Sequence, residues 1–99
     1  MRASADFCLI PMVDDASIAK YIATVQRTLN TFDIKFSLHA CGTNLEGEWD
    51  EVCNAIKRCH EVLHEEGVVR IQSTIRIGTR TDKTISNRQK IDSVNDLLK

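Results

Sequence analysis

Two histidines and a glutamate are spaced as in the helical motif of zinc hydrolases. Residues 60–67 read His-Glu-Val-Leu-His-Glu-Glu-Gly. On a helix, His60 and His64 lie one turn apart and could both bind zinc, while Glu61 could activate a metal-bound water. Taken alone, this pattern predicts a metalloprotease.

Other features of the sequence argue against that chemistry. The extended motif needs a third histidine three residues after its glycine, and this chain has Arg70 there. His60 also belongs to the apolar face of the predicted helix, so it should point into the core rather than into a water-filled cleft. His39 is the one other candidate for a third ligand. We therefore predict no metal site, no catalytic residue and no enzymatic activity, with a buried, hydrogen-bonded His60 and His64 at the rim.

A second stretch has the composition of a ligand-binding loop and is bounded by Gly42 and Gly47, two of the four glycines. The glycines free the backbone where the chain must turn. Thr43 and Asn44 supply short hydrogen-bonding side chains, and Glu46 adds a carboxylate. We predict that the binding site lies here. The alternative is a strand, a bend and another short strand, with a solvated Glu46.

The composition limits the classes of function. At 99 residues, the chain is predicted to form a single domain over 1–99, with a modest core that oligomerisation would supplement. A formal net charge of -1 gives no field that would attract nucleic acid or an anionic membrane. Apolar runs of signal-peptide or membrane-spanning length are also missing. We predict a soluble, cytoplasmic protein with neither of these partners.

The cysteines are irregularly spaced, at Cys8, Cys41, Cys53 and Cys59. They form no C-x-x-C pair, and the aliphatic content supports a core without disulfides. Structural zinc sites usually have two close pairs of ligands, which this spacing does not provide. We therefore predict that all four are reduced thiols.

The periodicity of apolar residues predicts the first half of the fold. Within residues 3–13, apolar side chains occur at both odd- and even-numbered positions. This pattern is typical of a strand that is covered on both faces. Pro11 predicts a strand edge, a bulge or an exit toward a site. Asp14 or Asp15 is predicted to cap a helix with an apolar stripe of helical period. A period of two over 34–41 then predicts a half-polar strand.

The second half follows in the same way. Residues 48–66 are predicted to form the longest helix, and residues 68–79 alternate as the longest strand. In the closing segment, 82–99, Ser86 and Gln89 have the spacing of a capping box, which predicts a short third helix.

The order of elements indicates the fold class. With a short strand in the central stretch before the longest helix, it is β-α-β-β-α-β with an extra C-terminal helix. This order predicts an α+β, ferredoxin-like sandwich with a four-stranded antiparallel sheet and helices on one face. The other face carries Cys8, Ile10 and Met12 and is too apolar for a free surface, so we expect it to pack against the sheet of another subunit. Base-stacking aromatics are missing from strand 68–79, which argues against nucleic acid.

Three motifs together resemble the small thiamine-binding protein family, long catalogued as an uncharacterised protein family. They are Ile10-Pro11-Met12, Gly42-Thr43-Asn44-Leu45-Glu46-Gly47 and Arg76-Ile-Gly-Thr-Arg80-Thr-Asp82-Lys83. The resemblance spans nearly the whole chain. It implies a ferredoxin-like subunit, dimers assembled into homotetramers, and binding of thiamine or its hydroxymethylpyrimidine part without catalysis or a further cofactor.

The resemblance and the chemistry of the ligand together predict a set of ligand-binding residues. These are Pro11, Thr43, Asn44, Glu46, Trp49, Arg76, Arg80 and Asp82. The aminopyrimidine of thiamine has an edge of donors and acceptors, which suits Glu46, Thr43 and Asn44. The cationic thiazolium prefers aromatic or acidic surroundings.

The remaining residues of this set leave alternatives open. Trp49 could stack on a ligand ring or anchor the core. Arg76 and Arg80 would repel a thiazolium, so we expect them to pair with Glu46 or Asp82, or to meet a phosphate if a phosphorylated form binds. Asp82 could instead cap the last helix. The predicted function is that of a carrier, sensor or buffer of a thiamine-like molecule, and the alternative is an oligomeric scaffold.

Overall fold

The computed structural model describes residues 1–84 and 86–99. The strands form one antiparallel sheet in the order β2-β3-β1-β4. The elements are β1 (Arg2–Pro11), α1 (Ala19–Leu29), β2 (Lys35–His39), β3 (Gly42–Glu48), α2 (Trp49–Glu65), β4 (Ile71–Gly78) and α3 (Asn87–Leu97). The predicted ferredoxin-like α+β fold is confirmed, with α3 as the additional helix. Ile85, in the predicted closing segment, lies outside the described residues.

Strand β1 lies between β3 and β4, so its alternation decides what the two sides of the sheet carry. Phe7 pairs with Thr43 of β3 and with Ile75 of β4. Ala5, Phe7 and Leu9 are buried in one core cluster with residues of α1 and α2. The predicted division of β1 into two faces is therefore confirmed, and both long helices cover the face that carries Phe7.

The opposite side of the sheet, called the open face below, is only partly covered. Helix α3 lies against it, because the Ser4 hydroxyl donates to Asn87 Oδ1 at 2.6 Å and the Asn87 N–H donates to Glu46 Oε2 at 3.0 Å. On the same face but further along β1, Ile10 is 46% exposed, and Met12 just beyond the strand is 49% exposed. The open face thus has a polar part beneath α3 and a more apolar, uncovered part.

The start of β4 differs from the prediction. The strand begins at Ile71 rather than at residue 68, because Gly67 ends α2 with a φ of 99° and turns the chain. The Val68 N–H then donates to the Leu63 carbonyl at 3.0 Å, and Val68 is buried in the core. Val69 is left 91% exposed. Apolar alternation alone could not separate this turn from the strand that follows it.

The start of α1 was also wrong in the prediction. The helix begins at Ala19 with Ile18 as its N-cap residue, not Asp14 or Asp15. Asp15 instead accepts a hydrogen bond from the Tyr21 hydroxyl at 2.8 Å. Part of the predicted apolar stripe of α1 is confirmed, since Val25 and Leu29 are buried in the core and Tyr21 packs against it.

Helix α3 has the predicted capping box. The Gln89 N–H donates to Ser86 Oγ, and the Ser86 N–H donates to Gln89 Oε1. Ser86 is the N-cap residue, so the alternative that Asp82 caps this helix is wrong. Among the described residues, none of the helices combines the length and the apolar character needed to cross a bilayer.

Gly42 and Gly78 make a matched pair for testing the packing of the sheet. A Cβ built on Gly42 would lie 2.8 Å from the Phe7 carbonyl oxygen, whereas one built on Gly78 meets nothing within 4 Å. Since backbone must move to relieve the first contact, Gly42→Ala should destabilise the protein by about 1–3 kcal/mol. Gly78→Ala should change stability by less than about 0.5 kcal/mol. Urea denaturation measures both, and equal effects would contradict the close approach of β3 to β1.

Candidate functional site

A cavity of about 450 Å³ lies on the open face between the sheet and α3. We call it the sheet–helix cavity. Its polar lining comes from β1, β3, β4 and α3, namely Ser4, Asp6, Asn44, Arg76, Asn87 and Lys90. Ile91 adds apolar surface. A volume within the roughly 300–1,000 Å³ typical of ligand pockets, with a few convergent polar groups, makes this cavity the candidate site.

Asp6 is the carboxylate of this cavity, and the sequence interpretation missed it. Its Oδ1 lies 2.9 Å from His39 Nε2 and its Oδ2 lies 3.0 Å from Arg76 Nη2. The hydrogen bond with His39, followed by the one from Arg76, lowers the pKa of Asp6 below its ordinary value of 3.8. Asp6 is therefore an anion at neutral pH. An acidic residue among the mostly apolar residues of β1 was the available signal.

Glu46, the carboxylate on which the sequence prediction centred, is buried at 8% exposure. Its Oε2 accepts the Asn87 N–H at the first turn of α3. A carboxylate here is favourable because the N-terminal N–H groups carry partial positive charge. Glu46 thus holds α3 onto the sheet, next to Asn44, which lines the sheet–helix cavity.

A second cavity, of about 750 Å³, lies beneath the loop residues 79–84 that follow β4. We call it the loop cavity. Arg80 and Asp82 line it and pair with each other, with Arg80 Nε 2.6 Å from Asp82 Oδ1. The hydrogen bond from Arg80 lowers the pKa of Asp82 to about 2. The predicted pairing of Arg80 with Asp82 is confirmed, whereas the corresponding prediction for Arg76 is wrong, because Arg76 pairs with Asp6.

Three residues of the predicted ligand-binding set lie away from these cavities. Thr43 is buried on the helix-covered face, where its hydroxyl oxygen accepts a hydrogen bond from Gln26 Nε2 at 3.0 Å. Pro11 is buried at the far end of β1 and pairs with Ile71. Trp49 begins α2 and is 36% exposed. The structure therefore brings Asn44 and Arg76 together in one cavity and Glu46, Arg80 and Asp82 in the adjoining one.

An apolar groove of about 770 Å³ lies on the other side of the sheet, between α1 and the end of β2 and β3. We call it the apolar groove. Ile18, Ile22, Leu38, Ala40 and Cys41 are among its lining residues. The lining of this groove is far less charged than that of the sheet–helix cavity. The groove therefore suits an apolar ligand better than a ligand with a polar, hydrogen-bonding edge.

The histidines of the hydrolase-like motif are engaged in hydrogen bonds, and His60 is half-buried rather than buried as predicted. His60 Nε2 lies 2.7 Å from Ser73 Oγ of β4, and His64 Nδ1 lies 2.7 Å from the Val68 carbonyl oxygen. The prediction that His60 points toward the sheet is confirmed. Among the residues that the structure describes, no group of three His, Cys, Asp or Glu side chains could hold a metal ion.

His60 gives a testable pH dependence of stability. Burial, followed by the nearby His64, lowers the pKa of His60 below its ordinary value of 6.5. The unfolded chain then binds more protons than the folded one, so stability should fall as the pH drops below about 6.5. The urea concentration at the midpoint of unfolding should be lower at pH 5.5 than at pH 7.5. This difference should be smaller in His60→Gln than in the parent. An unchanged difference would show that His60 does not carry this effect.

Glu46 can be tested as the anchor of α3. Glu46→Gln keeps the size but removes the charge at the helix N-terminus, which should cost about 0.3–1 kcal/mol. Amide hydrogens of α3 should exchange up to about fivefold faster, as measured by mass spectrometry. Glu66→Gln, at the end of α2, is the matched control and should leave α3 unchanged. Equal exchange of α3 in all three proteins would rule out the anchoring role.

The fold and the sheet–helix cavity define a small α+β protein with a polar cavity on one face of a ferredoxin-like sheet. The family model described as "Thiamine-binding protein" matches residues 5–95. The chain belongs to this family.

Relatives of known sequence match over nearly the whole chain. One is the UPF0045 protein sll0230 of Synechocystis, 42% identical, with the alignment covering 99% of this chain and 81% of the relative. Another is the UPF0045 protein ECM15 of Eremothecium gossypii, which is 37% identical. The alignment covers 99% of this chain and 94% of the relative.

Solved structures confirm the fold. A hypothetical protein of Methanocaldococcus jannaschii, MJ1052, superposes with a TM-score of 0.88 at 29% identity, covering 96% of this chain and 97% of that one. TM0486 of Thermotoga maritima, described as a proposed thiamine biosynthesis/salvage protein, gives a TM-score of 0.81 at 18% identity. The superposition covers 95% of this chain and 99% of TM0486. At that identity the second likeness supports the fold alone.

Proposed function

We propose that the protein binds thiamine or a related aminopyrimidine in the sheet–helix cavity and does not convert it chemically. The observation that carries this proposal is the ionised carboxylate of Asp6 in a cavity that also contains Ser4, Asn44 and Asn87. The description of the family as thiamine-binding supports the choice of ligand. The role would be that of a carrier, a sensor or a buffer.

The chemistry of the ligand matches these groups. The exocyclic amine of an aminopyrimidine donates hydrogen bonds, which a carboxylate accepts strongly. The ring nitrogens accept hydrogen bonds, which the amide of Asn44 can donate. The carboxylate of Asp6 retains accepting capacity on both oxygens after its contacts with His39 and Arg76.

Binding without catalysis fits the state of the same carboxylate. A general base works best when its pKa lies near the operating pH. The pKa of Asp6 is lowered by its contacts with His39 and Arg76, which makes it a weak base. A stable anion of this kind orients a ligand and does little to remove a proton from it.

We further propose that the protein works as a homotetramer built from dimers, in the cytoplasm. The exposed Ile10 and Met12 support burial of the uncovered part of the open face against another subunit. The free thiols of Cys41 and Cys53 are exposed, and such thiols persist in a reducing compartment.

Isothermal titration calorimetry tests the proposal. Thiamine and hydroxymethylpyrimidine should both bind, and the thiazole alcohol alone should bind at least tenfold more weakly because it lacks the aminopyrimidine edge. The absence of heat with thiamine at millimolar concentration would refute the binding function and favour an oligomeric scaffold. Equal affinity for the thiazole alcohol would refute recognition through the aminopyrimidine.

A further inference from the structure

The two polar cavities are neighbours. The sheet–helix cavity and the loop cavity share Ser4, Gly78 and Lys90 in their linings. A ligand that lies in the first can therefore extend into the second past the end of β4. The two together form one elongated site with different chemistry at each end.

The loop cavity has the lining of an anion site. Four basic side chains face it, Arg2, Arg80, Lys83 and Lys90, together with the hydroxyl-bearing Thr79, Thr81 and Thr84. Its two carboxylates are already engaged, Glu46 with the N-terminus of α3 and Asp82 with Arg80. Within residues 1–84 and 86–99, Arg2, Lys83 and Lys90 form no ion pair at 4.0 Å or less. Three cations and several hydroxyl groups thus remain for a ligand.

The cations also pose a difficulty for unmodified thiamine. Its thiazolium ring is positively charged, while Arg76 and Lys90 line the sheet–helix cavity beside the single carboxylate of Asp6. A phosphate ester on the same molecule would reverse this balance, because lysine, arginine and threonine hydroxyl groups all donate to phosphate oxygens.

We propose that the loop cavity is a phosphate subsite, and that the preferred ligand is a phosphate ester of the aminopyrimidine compound. This inference rests on the proposed function, since the ring lies in the sheet–helix cavity and the phosphate in the loop cavity. Lys83 and Arg2 contact the phosphate. Lys90 lies where the two parts of the ligand meet.

Calorimetric titrations with thiamine, thiamine monophosphate and thiamine diphosphate test the inference. The phosphate esters should bind at least tenfold more tightly than thiamine, and the difference should shrink as salt is added because exposed charges are screened. In the double variant Arg2→Gln/Lys83→Gln, the ratio of diphosphate affinity to thiamine affinity should fall toward one. Lys57→Gln on α2, which removes one positive charge at a residue that lines neither cavity, is the control and should keep the parental ratio.

The outcomes separate the two proposals. If thiamine binds but its phosphates bind no more tightly, or if the double variant keeps the parental ratio, the phosphate subsite is wrong and the binding function stands. If none of the three compounds binds, both proposals fail. Inorganic phosphate is the further probe: it should compete with the diphosphate at millimolar concentration, and displacement of thiamine itself by phosphate would contradict separate subsites for ring and phosphate.

Discussion

Replacing Asp6 with asparagine should weaken the binding of thiamine by about tenfold or more. A hydrogen bond to a charged group contributes roughly 1.5–3 kcal/mol, and asparagine places a neutral amide where the ligand amine needs an anion. The contacts of Asp6 with His39 and Arg76 are only partly buried, so their loss should cost little stability. Calorimetry measures the affinity, and the melting temperature reports on the fold.

Asp14→Asn is the matched control for this substitution. It removes the same charge from an exposed loop residue that lines none of the three cavities described above. It should therefore bind thiamine as the parent does. If Asp6→Asn also binds as the parent does, Asp6 only orders the side chains of the open face, and the sheet–helix cavity loses its main ligand contact.

The substitution Ile10→Asp should split the assembly into smaller species. Ile10 lies on the part of the open face that α3 leaves uncovered, and Cys8 and Met12 extend this surface. If that surface is buried between subunits, a carboxylate there would be desolvated without a partner, which costs several kcal/mol. In a free monomer the same carboxylate would remain in water and should be tolerated.

Light scattering coupled to size-exclusion chromatography measures this effect. The parent should elute with the mass of four chains and Ile10→Asp with a lower mass. Val69→Asp introduces the same charge at a residue that is 91% exposed in the turn before β4, so it should keep the parental mass. A parent that is monomeric at micromolar concentration would refute the proposed assembly.

Much of the fold could be predicted because its elements follow simple periods. Alternation placed Phe7 on the core face of β1 and Ile10 on the other, and the capping box placed Ser86 before α3. The boundaries were less predictable where the backbone turns near apolar residues. Val68 packs into the core from a turn, so its apolar character extended the predicted strand beyond its true start.

The candidate site was harder to predict because it is assembled from four elements. Thr43 and Asn44 are neighbours in sequence, yet the alternation of β3 puts them on opposite faces of the sheet. Pro11 is five residues from Asp6 in the same strand, which is about 16 Å along β1 at roughly 3.3 Å per residue. The approach of α3 to β1 depends on Glu46 and Asn87, which are far apart in sequence.

Titration of thiamine into ¹⁵N-labelled protein, followed by nuclear magnetic resonance, tests the central claim most directly. If the ligand binds in the sheet–helix cavity, the amide signals of Ser4, Asn44 and Ile77 should shift most. Signals of Ile22 and Leu38 in the apolar groove should stay in place, which makes that groove the internal control. Shifts confined to the apolar groove, or no shifts at millimolar thiamine, would contradict the proposed site.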